Sequence, residues 1–139
     1  MMRHLLAAAL IVLAACSGGQ TVSLRIDDAR YRPPLVDGGT GVAYFSITSN
    51  IADRIVAVSS PRARAVEIHE SRSDQGMAGM EQRPDIELPA GKTVKFEPGG
   101  LHLMVIAPQP LAAGATFPIQ IELESGSVQT IAFAGAPAP

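Results

Sequence analysis

Residues 118–133 read PIQIELESGSVQTIAF, and this stretch decides the fold. Ile119, Ile121 and Leu123 alternate with Gln120 and Glu122, and Ile131 and Phe133 resume the same period further on. Alternation with period two puts the apolar side chains on one face of a half-buried strand. Between the two runs, Glu124-Ser125-Gly126-Ser127 supplies turn chemistry, so the stretch predicts an antiparallel hairpin.

The pattern extends outward along the chain. Val22, Leu24 and Ile26 alternate with polar residues, and residues 41–48 (GVAYFSIT), 54–58, 63–69, 93–96 and 101–107 are rich in β-forming side chains. Strong breakers separate them: Pro33-Pro34, Asp37-Gly38-Gly39, Pro89-Ala90-Gly91 and Pro98-Gly99-Gly100. No convincing amphipathic helix of twelve residues is present. Many short strands at this spacing predict an all-β fold, an antiparallel sandwich or barrel. The 139 residues suffice for one domain with its own core, placed at 22–134, with 135–139 (GAPAP) as a disordered tail.

The amino terminus carries a separate message. Arg3 precedes an unbroken apolar run from Leu5 to Ala15, about half the length needed to cross a bilayer, so residues 1–15 read as a signal peptide. Leu13-Ala14-Ala15-Cys16 resembles the lipobox of bacterial lipoproteins. That resemblance implies cleavage before Cys16, acylation of its thiol, and a periplasm-facing, lipid-anchored protein joined to its membrane by the tether 16–21. Ser17, rather than Asp, favours the outer membrane if the host is Gram-negative. Loss of residues 1–15 leaves ten basic and thirteen acidic side chains, and the arginines are scattered. No basic stripe is available for nucleic acid.

Cys16 is the only cysteine, so acylation would leave the mature domain without a thiol. A soft-metal site must then use methionine and histidine. After the signal segment the chain has His69 and His102, with Met77, Met80 and Met104, all between positions 69 and 104. His102 and Met104 stand two apart on a predicted strand and share a face, leaving Leu101, Leu103 and Val105 for the core. His69 ends the strand containing Val66 and Ile68. Imidazole and thioether together suit Cu(I), whereas hard ions prefer oxygen and zinc prefers thiolate, imidazole or carboxylate. Against this, methionine also serves as a filler of irregular core gaps. Residues 71–79, with two glycines and no apolar periodicity, are expected to form a mobile loop. Met80 would leave the metal first, and Met77 would act as a loop residue or transient ligand.

The spacing His69, ten residues, Met80, twenty-one residues, His102, one residue, Met104 resembles that of the periplasmic PCu(A)C-type copper chaperones. The surroundings GVAYFSITSN (41–50), SSPRARAVEIHES (59–71) and ELPAGKTVKFEPGGLHLMVIAP (87–108) resemble that family too, and the likeness runs from about 22 to 133. It implies a cupredoxin-like β-sandwich holding one Cu(I) through His69, Met80, His102 and Met104. It also implies delivery of copper to an accepting subunit or assembly factor of a respiratory cytochrome oxidase. Many members have Met directly after the first histidine, where this chain has Glu70. A blue-copper electron-transfer site is excluded, because it needs a thiolate. Ser59, Ser60 and Ser71 lie near His69 without an orienting partner, so neither an enzyme nor a small-molecule substrate is expected. Two alternatives remain: a buffering or resistance lipoprotein that sequesters Cu(I) without a dedicated acceptor, and a structural β-sandwich lipoprotein that binds no metal.

Overall fold

The structure, a computed structural model, describes residues 19–136. The signal segment, Cys16 and residues 137–139 lie outside the described residues. The chain forms ten strands: β1 (Leu24–Arg32), β2 (Thr40–Ser49), β3 (Asp53–Ser59), β4 (Ala63–Asp74), β5 (Met77–Gln82), β6 (Ile86–Leu88), β7 (Thr93–Phe96), β8 (Leu101–Pro108), β9 (Thr116–Leu123) and β10 (Val128–Gly135). They join in one sheet in the order β5-β4-β8-β7-β2-β1-β10-β9-β3-β6, with β8 also pairing β2.

The hairpin expected at 118–133 is β9–β10, with Ile119 opposite Ile131 and Phe117 opposite Phe133. All four side chains are buried. On β2, Ala43, Phe45 and Ile47 point inward in the same alternation. Strands two apart in a flat sheet lie about 9.5 Å from each other. Here Phe45 on β2 meets Phe133 on β10 at 5.4 Å between ring centroids, across β1. Tyr31 on β1 stacks on Phe117 of β9 at 4.4 Å, across β10. The sheet therefore curls over a single core, which is how one hydrogen-bonded sheet yields the two layers of a sandwich.

Most pairings are antiparallel, as expected, but two are parallel: β1 with β10, and β7 with β8. The first joins the two halves of the sheet through Arg30 opposite Ala134 and Tyr31 opposite Gly135. It also corrects the expected tail. Gly135 belongs to β10 and Ala136 N–H donates to Tyr31 O, so backbone pairing rather than side-chain hydrophobicity extends the domain past 134.

Two strands are additional to the sequence expectation. The three-residue β6 pairs with β3 at the sheet edge. More consequentially, the expected loop at 71–79 is a hairpin: β4 continues to Asp74, β5 begins at Met77, and Asp74 pairs with Met77. Gln75 (φ 49°) and Gly76 (φ 80°) alone form its turn. Two consecutive positive φ values match the type I′ turn, whose twist fits the flanking strands. Backbone pairing and turn geometry thus form a strand in a segment with no hydrophobic pattern.

Candidate metal centre

In an antiparallel ladder, directly paired residues point to the same face. His69 pairs with His102 and Glu67 with Met104 on β4 and β8, and Ser71 pairs with Met80 on β4 and β5. Glu67, His69 and Ser71 alternate along one face of β4. Register therefore places His69, Met80, His102 and Met104 together on one face of three adjacent strands. The opposite side chains, Ile68, Leu103 and Val105, are buried in the core. The four residues expected as ligands thus sit on neighbouring strands, and His69 lies within β4 rather than at its end.

Met80, His102 and Met104 line one surface cavity of about 310 Å³ with Val42, Tyr44, Ser71 and Gly99 among its walls. The rings of His69 and His102 lie side by side at 6.0 Å between centroids. A metal about 2.0–2.1 Å from an imidazole nitrogen is about 3 Å from the ring centre, so two rings sharing one ion stand up to about 6 Å apart. The observed spacing fits such sharing. Burial grades across the site: His102 is 7% exposed, while Met80 is 60% exposed at the sheet edge. The register gathers imidazole nitrogen and thioether sulfur here, with the Glu67 carboxylate beside His69. Among the described residues there is no group of three or more His, Cys, Asp or Glu that could hold a metal.

Hydrogen bonds surround the histidines. His102 Nδ1 lies 3.0 Å from Gly100 O, and His69 Nε2 lies 2.8 Å from Glu67 Oε2. His69 Nδ1 is buried with no hydrogen-bond partner among the described residues. Glu67 was not singled out from the sequence, although its position two residues before His69 on a strand was the available signal.

Met77 does not join the site. Its partner Asp74 stands on the opposite face of β4 from His69 and Ser71, and Met77 is 78% exposed at the hairpin tip. Glu70, where many chains of the resembling family carry Met, also faces away. It pairs with Arg83 and Arg72, and Arg72 reaches Glu81 at 3.1 Å, so charges on β4, β5 and the following residue brace the back of the hairpin. The exposed Arg72–Glu81 pair is individually weak.

The sequence pattern of the LpqE-like family, described as one of lipoproteins, matches residues 24–134, nearly the whole described domain. The chain belongs to the LpqE-like family. A relative from Leifsonia xyli subsp. xyli (strain CTCB07), Lxx21020, whose name is also that of a lipoprotein, is 29% identical over 80 residues. That match takes in 56% of this LpqE-like chain and 48% of the relative, about half of the relative's length. Among solved structures, the copper-bound PCuAC domain from PmoF2 superposes with a TM-score of 0.65 at 23% identity, covering 84% of this chain and 93% of that one. The Cu(I) form of DR1885 from Deinococcus radiodurans gives 0.59 at 22% identity, covering 88% and 82%. At these identities the likeness is one of fold. The LpqE-like chain has the PCuAC fold, as its resemblance to that family implied.

Proposed function

We propose that this LpqE-like protein is a copper carrier of the bacterial envelope. It binds one Cu(I) through His69, Met80, His102 and Met104 and passes it to a copper-accepting subunit or assembly factor of a respiratory cytochrome oxidase. The observation that carries the reading is the convergence of two imidazoles and two thioethers on one face of β5, β4 and β8. This donor set suits Cu(I), and it contains no thiolate that an oxidising compartment could convert to disulfide. Two neighbours in fold were solved with copper, PmoF2's PCuAC domain and DR1885, which supports the same reading. The lipobox at Cys16 and the lipoprotein descriptions of the family and of Lxx21020 support a lipid anchor with the domain facing the periplasm.

The arrangement suits a carrier. His102 and Met104 belong to β8, which is paired on both sides and buries Leu103 and Val105 in the core, so they form a stiff half-site. Met80 belongs to β5, paired only with β4 and exposed along its whole length. It is the ligand that can withdraw, as the hairpin bends away, to leave a coordination position for an acceptor. Its exposure also favours transfer over storage, for which full enclosure of the ion would serve better.

The test is anaerobic Cu(I) titration of the domain, with X-ray absorption on the loaded form, followed by mixing with apo-acceptors of higher affinity. One equivalent bound, with nitrogen and sulfur scattering, is expected. Absence of sulfur scattering refutes the ligand set, and retention of copper against every oxidase acceptor favours the buffering alternative. Labelling with a palmitate analogue tests the anchor: Cys16→Ser must lose the label.

A further inference from the structure

The two histidines of the site are held by opposite nitrogens. Gly100 O can only accept a hydrogen bond, so His102, 3.0 Å away through Nδ1, carries its hydrogen on Nδ1 and keeps the Nε2 lone pair free. The carboxylate of Glu67 likewise only accepts, and it lies 2.8 Å from His69 Nε2. His69 therefore carries its hydrogen on Nε2. Its Nδ1 is left as a bare lone pair, buried and without a hydrogen-bond partner among the described residues. An unmatched buried acceptor costs about 1–3 kcal/mol, so folds rarely leave one without a use.

We infer that Glu67 is a positioning residue that presents His69 to the metal through Nδ1, while Gly100 presents His102 through Nε2. This rests on the copper-carrier reading, and it adds to that reading which atoms bind and what selects them. Register explains how the carboxylate reaches its place. Glu67 stands two residues before His69 on the same face of β4 and directly opposite Met104 on β8. An acceptor behind a ligating imidazole fixes its tautomer and ring orientation and raises its basicity as a ligand. The geometry also explains how two rings on directly opposed residues share one ion without stacking face to face. Each is turned by its own acceptor, and they meet tilted by 30°.

The test uses the domain with isotope-labelled histidine, in mildly alkaline buffer, read by long-range proton–nitrogen NMR correlations. In the apo protein, His69 is expected as the Nε2–H tautomer and His102 as the Nδ1–H tautomer. On adding Cu(I), which is diamagnetic, the large nitrogen shifts are expected at His69 Nδ1 and His102 Nε2. Glu67→Ala should give His69 a mixed tautomer population and weaken Cu(I) binding by about tenfold. Glu67→Gln keeps an acceptor and should restore the Nε2–H form with most of the affinity. A wild-type His69 found as Nδ1–H, or metallated through Nε2, overturns the inference while leaving the carrier reading intact. If copper does not bind at all, the carrier reading falls, and the apo spectrum alone still decides whether Glu67 sets the tautomer.

Discussion

Replacing Met80 with alanine should separate copper binding from stability. Met80 is 60% exposed, so less than half of its side chain is covered. Full burial of a methionine is worth about 1.5–3 kcal/mol, so truncation here forfeits at most about 1 kcal/mol. In a domain of this size that lowers the apo melting temperature by about 4 °C or less. The copper-loaded protein should behave differently. With free Cu(I) at about a thousand times Kd, binding stabilises the fold by about 4 kcal/mol, or about 16 °C. Losing one thioether worth about 2.7 kcal/mol weakens binding about a hundredfold and leaves about 1.4 kcal/mol, or about 6 °C. Differential scanning calorimetry with Cu(I) buffered anaerobically measures both quantities. Met77→Ala is the control, since Met77 is exposed and faces away from the site, and neither number should move. An unchanged copper-induced shift in Met80→Ala, or an equal loss in Met77→Ala, would overturn the role given to Met80.

Three further outcomes follow from the geometry. A Cβ at Gly41, which borders the cavity lined by Met80, His102 and Met104, would stand 2.8 Å from Tyr31 Cε2 and 3.0 Å from Arg32 O, against a ring already stacked on Phe117. Gly41→Ala should therefore cost about 1–3 kcal/mol, read as a lower urea midpoint. Gly76 holds φ 80° in the hairpin turn, where a side chain costs about 1–2 kcal/mol. Gly76→Val should speed hydrogen exchange in β5, weaken copper binding and lower the melting temperature by about 4–8 °C. Burial disfavours the charge on Asp53, but hydrogen bonds from Ser125 Oγ and from the Arg54 and Ser125 amides outweigh it and hold the carboxyl below its ordinary range. Its stabilising contribution is thus present above the unfolded value of about 3.9 and lost as pH falls through the lower folded value. Urea midpoints of wild type and Asp53→Asn should differ at neutral pH and converge in strong acid.

The fold was legible wherever burial imposed a period. Ile119, Ile121, Leu123, Ile131 and Phe133 announce β9–β10, and the shared face of His102 and Met104 follows from Leu103 and Val105 pointing inward. The candidate site was legible through residue chemistry and spacing, because His and Met are scarce in this chain and the register brings His69, Met80, His102 and Met104 onto one face. What escaped was structure that leaves no apolar trace. Every residue of β5 is exposed, so its strand character rests on backbone pairing and the Gln75-Gly76 turn. The face on which Met77 points depends on register, which only that turn fixes. Glu67 reads as an ordinary surface acid until β4 brings its carboxylate to His69.

The parallel pairing of β1 with β10 bears on how the molecule is made. Arg30 and Ala134 lie more than a hundred residues apart, and their pairing is the junction between two halves of the sheet. The half containing β3 and β6 joins the rest of the sheet only through β9 and β10. An emerging chain therefore cannot close its core until its final strands exist. Such distant closures belong to the slow end of single-domain folding, in milliseconds to seconds. Until then, β3 and β6 lack their link to the remaining strands. A truncation removing β10 would leave one half of the sheet without its junction and the aromatic ring of Phe45 without Phe133.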